Sequence, residues 1–149
     1  EAWHTPGHTL DMINYYLPSK AVIFTGDTLF AMGCGRVFEG THAQMYRSME
    51  MLRGLPDETV VYGGHEYTQA NAAFALSVDP QNEALQARAA EVAKLRAAGT
   101  PTMPTRMDAE RATNPFLRYG DPGVRGHLGM AQASDADVFS ELRTRKDSF

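Results

Sequence analysis

The chain has 149 residues, 43% of them hydrophobic and 21% charged, with a net charge of -4. That make-up suits a soluble globular protein of one or two small domains and excludes a nucleic-acid binder, which carries a basic excess; "RTRK" at 143–146 is only a local exception. No apolar run approaches the ~20 residues of a membrane span, there is no basic-then-apolar leader, and a single cysteine, Cys34, suits a reducing compartment, so a cytoplasmic protein is expected.

In chain order, Glu1 opens within what reads as a strand, "EAWHTP", and the true N-terminus is therefore expected to lie upstream. "INYYLP" (13–18) and "AVIFTG" (21–26) are β-branched and aromatic runs around the turn formers Pro18, Ser19 and Lys20, which predicts a hairpin. A helix follows: Thr41 and Gln44 have capping-box spacing, Met45, Met49 and Leu52 share a face, and Gly54 and Pro56 end it. "TVVYGG" (59–64) is a short buried strand. Beyond Tyr67 strands are scarce. Asp79-Pro80 reads as a helix start, with Leu85, Val92 and Leu95 as its stripe and Gly99 and Pro101 as its stop. Residues 100–130 show no period and read as loop, and a last helix is expected from Ser134 with Val138, Phe139 and Leu142 inward. No repeat or low-complexity tract occurs.

Three bends stand out: "TPGHT" (5–9), "TGDTLF" (25–30) and "YGGHEYT" (62–68). His8, Asp27 and His65 each follow a strand, and in α/β proteins side chains beyond the carboxyl ends of strands converge on ligand sites. Two imidazoles and a carboxylate suit Zn²⁺, Fe²⁺ or Mn²⁺, and the carboxylate has two oxygens with which to bridge a pair of ions. The bland reading is available for each: Asp27 could cap a turn and His65 could satisfy a carbonyl. His4, His42 and His127 belong to no motif, and Cys34 has no marked partner base that would make it a nucleophile.

The ordered set "TPGHT", "FTGDTLF", "GCGRVFEG", "YGGHEYT", "NPFLR" and "LRTRKDSF" resembles glyoxalase II, the hydroxyacylglutathione hydrolase family of the metallo-β-lactamase superfamily, from about Trp3 to Phe149. The resemblance implies an α/β fold: residues 1–66 as the second half of an αβ/βα sandwich domain and 67–149 as a mainly α-helical glutathione-binding domain. It implies two divalent metal ions, zinc first with iron or manganese as alternatives, with His8 on one, His65 on the other and Asp27 bridging. It further implies hydrolysis of S-D-lactoylglutathione to D-lactate and glutathione by a hydroxide held between the ions. Arg36, Phe38, Tyr67, Arg143 and Lys146 would bind the substrate, Arg143 and Lys146 facing its glycyl carboxylate, while Asn114, Pro115 and Phe116 fasten a loop. Neither nucleic acid nor membrane is an expected partner, and the protein is expected to be a monomer.

Two departures accompany the resemblance. The HxHxDH motif that supplies the family's other ligands occurs nowhere in the 149 residues, so the chain is expected to be the C-terminal part of a longer enzyme, inactive alone. Asp11 is followed by Met12 where the family commonly has a histidine that supports the ligands. Other readings are a persulfide dioxygenase, disfavoured by the helical tail, another hydrolase of the superfamily, which would lack the Tyr67, Arg143 and Lys146 set, and a non-catalytic glutathione-binding module.

Overall fold

The hairpin expected at 13–26 forms the centre of a mixed sheet in the computed structural model, which describes residues 1–149. In chain order the elements are β1 (Ala2–His4), β2 (Ile13–Leu17), β3 (Val22–Gly26), β4 (Leu29–Phe30), β5 (Gly33–Cys34), α1 (His42–Arg53), β6 (Val60–Gly63), α2 (Thr68–Val78), α3 (Glu83–Ala97), β7 (Thr105–Arg106), α4 (Met107–Thr113), α5 (Pro122–Leu128) and α6 (Asp135–Asp147). The main sheet has the order β1-β2-β3-β6-β7, and β4 with β5 makes a separate small hairpin. β1 and β2, and β2 and β3, pair antiparallel, whereas β3 and β6 pair parallel. β1, β3 and β6 therefore run the same way, and the segments that follow them leave from one edge of the sheet.

Period-2 alternation decides which face is which. Asn14, Tyr16, Ile23, Thr25 and Val61 point inward. There Tyr16, Ile23 and Val61 join Met45, Met49 and Leu52 of α1 and Val138, Phe139 and Leu142 of α6 in one core. The opposite face exposes Ile13, Tyr15, Leu17, Phe24 and Tyr62, with Tyr15 58% exposed and Phe24 stacked on Tyr62 at 5.2 Å. Contiguous apolar surface of this kind marks a place where something packs.

α1 has the expected reciprocal cap: Gln44 N donates to Thr41 Oγ1 at 3.2 Å and Thr41 N to Gln44 Oε1 at 2.9 Å. α6 starts at its expected cap, Ser134, which accepts from Asp137 N.

The second half corrects the sequence reading in two places. Asp79-Pro80 does not open a helix. Asp79 closes α2, its backbone N–H bonded to Ala75 O, and its carboxylate is held by Arg118 Nε at 3.0 Å and Asn82 Nδ2 at 2.8 Å. α3 begins at Glu83 instead, capped by Asn82, whose Oδ1 accepts from Leu85 N at 3.1 Å while its Nδ2 also donates to Ala112 O. Because one side chain serves two elements, Asn82→Ala is expected to lower stability by about 1–2 kcal/mol in urea unfolding, the upper range for a cap. The second correction is residues 100–130, which are not an aperiodic loop but carry β7, α4, a single 3₁₀ turn at 115–117 and α5. These elements are two to seven residues long, too short to display a period, and are held by caps: Asp121 accepts from Gly123 N and Val124 N, and Gly129 ends α5 with φ of 70°. α2 was equally hard to see because Thr68, Asn71, Ala72, Phe74, Ala75 and Val78 are all buried, leaving no polar stripe to define a face.

β7 extends the sheet antiparallel to β6, so the main sheet takes a strand from beyond residue 67.

Candidate metal centre and its cavity

The loops that leave β1, β3 and β6 carry His8, Asp27 and His65 to the same sheet edge, as the parallel course of those strands requires. His8 Nε2 lies 3.3 Å from Asp27 Oδ2, and His65 Nε2 lies 3.3 Å from Asp27 Oδ1. One carboxylate thus receives one imidazole on each oxygen. The three side chains do not close around a single point, and no group of three His, Cys, Asp or Glu forms a cage for one ion. Gly64 permits the approach, since a Cβ there would lie 2.7 Å from Asp27 Oδ1.

The orientation of His8 is informative about what it faces. Its Nδ1 is 2.9 Å from the Arg36 carbonyl, which can only accept, so Nδ1 carries the proton. When the ring is neutral, Nε2 then turns its lone pair toward a carboxylate oxygen. Two lone pairs facing each other are unfavourable without a cation between them, which makes the donor set fit a metal ion.

His65 is set by packing. Its ring stacks on Tyr67 at 4.8 Å, and Phe30 meets both rings edge-on. The neighbouring Glu66 is tied by both oxygens to the amide and hydroxyl of Thr102, in the loop between α3 and β7. Burial works against the charge of Glu66, but those two hydrogen bonds, together with the charge of Arg96 and the Thr68 hydroxyl, outweigh it and hold the carboxyl below its usual range.

All eight residues singled out in the sequence border one cavity of about 530 Å³, within the range of small-molecule sites. Their environments differ. Arg36 lies over the ring of Phe38 at 4.7 Å, and Phe38 and Tyr67 are exposed at the rim. Lys146 Nζ sits between the rings of Phe74 and Phe149 at 5.6 and 5.7 Å, and burial followed by the charge of Arg143 lowers its pKa. Arg143 is only 2% exposed, and its guanidinium is spent on Cys34 O and on Asp147. Its carbonyl bonds to β5 had no signal in the sequence, although Asp147 at i+4 was a legible partner.

Cys34 borders the cavity but is buried, and burial pushes its thiol up against the opposing pull of Arg143, so it is not an activated nucleophile. His4 pairs with Leu10 O and His42 with Ser140 Oγ, and neither these two nor His127 borders the cavity. Asn114 fastens a loop as expected: it is fully buried and donates to Phe30 O and Gly33 O.

Comparison with known proteins gives these residues a family. Residues 66–149 match the model for the hydroxyacylglutathione hydrolase C-terminus, and residues 1–65 match the metallo-beta-lactamase superfamily. The chain belongs to the hydroxyacylglutathione hydrolase family. It is 57% identical over 145 residues to the hydroxyacylglutathione hydrolase of Brucella anthropi, covering 97% of this chain and 56% of that protein. It therefore spans just over half the length of such hydroxyacylglutathione hydrolases. Among solved structures, ETHE1 from Myxococcus xanthus superposes with a TM-score of 0.57 at 28% identity, over 97% of this chain and 44% of that one. A protein crystallised in a di-iron-bound form superposes with a TM-score of 0.52 at 25% identity, over 78% of this chain and 42% of that one. The fold is accordingly the C-terminal part of a metallo-β-lactamase-fold protein.

Proposed function

We propose that the complete protein hydrolyses the thioester S-D-lactoylglutathione to D-lactate and glutathione, with His8, Asp27 and His65 as part of a binuclear metal site. The observation that carries this reading is the single carboxylate with an imidazole on each of its oxygens, at the edge of a cavity that also holds Tyr67 and Lys146. Family membership supports the substrate class. The nitrogen and oxygen donors suit zinc first, and iron or manganese also fit. Two divalent ions, when bound, supply Lewis acidity and a water acidic enough to attack at neutral pH.

The chain's own residues do the rest. Asp27 presents one oxygen to each imidazole, and the Arg36 carbonyl holds His8 in the tautomer that leaves Nε2 free. Phe38 and Tyr67 at the rim flank the bound thioester and limit water. Lys146 offers a cation to a glutathione carboxylate, and Arg36 borders the same cavity. In this reading residues 1–66 carry the metal ligands and 67–149 the recognition surface. The remaining ligands, and the cover for the apolar sheet face of Tyr15, Phe24 and Tyr62, would come from the part of the protein outside these residues. No helix is long and apolar enough to cross a membrane; on family membership we further propose a cytoplasmic monomer.

The test is steady-state hydrolysis of S-D-lactoylglutathione by the complete, zinc-loaded protein. Turnover that a chelator abolishes and added zinc restores is the expected result. Residues 1–149 alone should show negligible turnover. A fully loaded complete protein that leaves the thioester intact would overturn the reading.

A further inference from the structure

We propose that Asn14, a fully buried residue of β2 outside the cavity, is a positioning residue for Asp27: its amide sets the turn on which that carboxylate stands. The inference rests on the metal reading of Asp27 given above.

Four polar side chains with no solvent exposure lie together behind the site: Thr5, Asn14, Thr25 and Thr28. Asn14 Nδ2 donates to Thr25 O at 3.0 Å and to Thr28 Oγ1 at 3.2 Å, and these two residues bracket Gly26 and Asp27. Both amide protons are thereby committed to the two ends of one turn. From that turn the network reaches the neighbouring segments. Thr28 Oγ1 stands 3.3 Å from Thr5 Oγ1, at the exit of β1 and three residues before His8. Thr25 Oγ1 donates to Leu29 O at 2.8 Å and lies 3.3 Å from Tyr62 O, on the strand that leads to His65. Gly64 N adds a bond to Gly26 O at 2.8 Å. The three segments that deliver His8, Asp27 and His65 are therefore joined behind the site, and Asn14 spans the one whose carboxylate faces both imidazoles.

The other half of the Asn14 amide does nothing for the fold. Its Oδ1 is buried without a partner. Turning the amide over would not relieve it, because Oδ1 would then face the Thr25 carbonyl, one acceptor against another. A buried unpaired carbonyl opposes folding. Nor do the acceptors of Nδ2 depend on it for a partner: Thr25 O also accepts from Thr28 N at 2.9 Å, and Thr28 Oγ1 keeps Thr5. Stability alone would favour an apolar residue at this inward position, as at Ile23 on β3 and Val61 on β6. A side chain that weakens the core yet fixes the turn beneath a metal ligand breaks a rule of core packing where function gains from it. Hydrogen-bond partners that orient ligands are typically worth ~10–100-fold in metal affinity or activity.

The test compares Asn14→Val with Asn82→Ala in the complete protein, by three measurements: the rate of zinc loss to a chelator, the visible spectrum of the cobalt-loaded form, which reports ligand geometry, and kcat and KM for S-D-lactoylglutathione. Asn14→Val removes the unpaired carbonyl and strands no other group. It is expected to speed zinc loss and lower kcat by roughly tenfold and to shift the cobalt bands, with KM within about twofold. Asn82→Ala, which loosens a helix cap outside the cavity, is expected to leave zinc loss and the cobalt bands as in the wild type. If Asn14→Val fails to fold, Thr28→Val removes the acceptor at one end of the turn and should move the same readouts in the same direction. Zinc loss, spectrum and kcat all unchanged would overturn the inference, as would a raised KM alone. Equal quickening of zinc loss in Asn82→Ala would make the effect a general loosening and overturn it too. A wild type that retains zinc but leaves the thioester intact would defeat the proposed reaction, with zinc loss and the cobalt bands still deciding this inference; a wild type that binds neither metal would overturn both.

Discussion

Asp27→Ala in the complete, metal-loaded protein is expected to lower kcat for S-D-lactoylglutathione by at least about 100-fold, while the dissociation constant of a non-hydrolysable glutathione analogue changes little. The size follows from position. Groups that merely orient a metal ligand are worth up to ~100-fold, and Asp27 is placed to be a ligand itself, facing His8 with one oxygen and His65 with the other at 3.3 Å each. An effect confined to kcat is the mark of a group that acts on the reaction and not on recognition. Asp27→Asn keeps the size but gives up one acceptor oxygen and the charge, so it should lose metal as well. Metal content measured beside kinetics separates the two possibilities that matter: unchanged metal and unchanged kcat in Asp27→Ala would remove Asp27 from the centre.

Glu110→Ala is expected to cost about 3–5 kcal/mol of folding stability, the range for removing one partner of a buried ion pair. Glu110 is fully buried and uses every acceptor position it has. Oε1 accepts from Arg88 Nη2 and from Thr105 Oγ1, each at 2.7 Å, and Oε2 accepts from Met32 N and Asn114 Nδ2, each at 2.9 Å. Through those bonds one carboxylate ties α3, β7 and α4 to the turn between β4 and β5, the hairpin that follows Asp27 in the chain. Alanine would strand the Arg88 guanidinium and a buried amide together, and the loss is larger for that reason than any single hydrogen bond would suggest. Urea unfolding of Glu110→Ala against wild type measures it, with Glu110→Gln as the milder control because it keeps one acceptor for Arg88. A loss below about 1 kcal/mol in the alanine variant would show that water or a shifted side chain replaces the carboxylate.

Some of this protein was written in stretches of a few residues. The reciprocal cap of Thr41 and Gln44, the 3.6-residue spacing of Met45, Met49 and Leu52, the turn at Pro18 and the cap at Ser134 are local energies, each complete within one or two turns of chain, and the elements they predict appear where expected. His8, Asp27 and His65 were legible for a related reason: each lies within four residues of the end of a strand, and the strand course decides where such a residue goes. Residues 100–130 were illegible because their helices and strand are too short to show a period and are stabilised by what they touch, as α4 is by Glu110. Asp79 misled because an aspartate before a proline is a good helix start in isolation, while in the folded chain its carboxylate is taken by Arg118, 39 residues away. The role of Arg143 lay furthest out of reach. An arginine near the end of a charged helix reads as solvated or as a ligand for an anion, and only the packing of α6 buries it 109 positions from Cys34, whose carbonyl it holds. Local propensity acts between neighbours and can be read residue by residue; a buried charge takes its partners from wherever the fold brings an acceptor, because leaving it without one costs more than any local preference can repay.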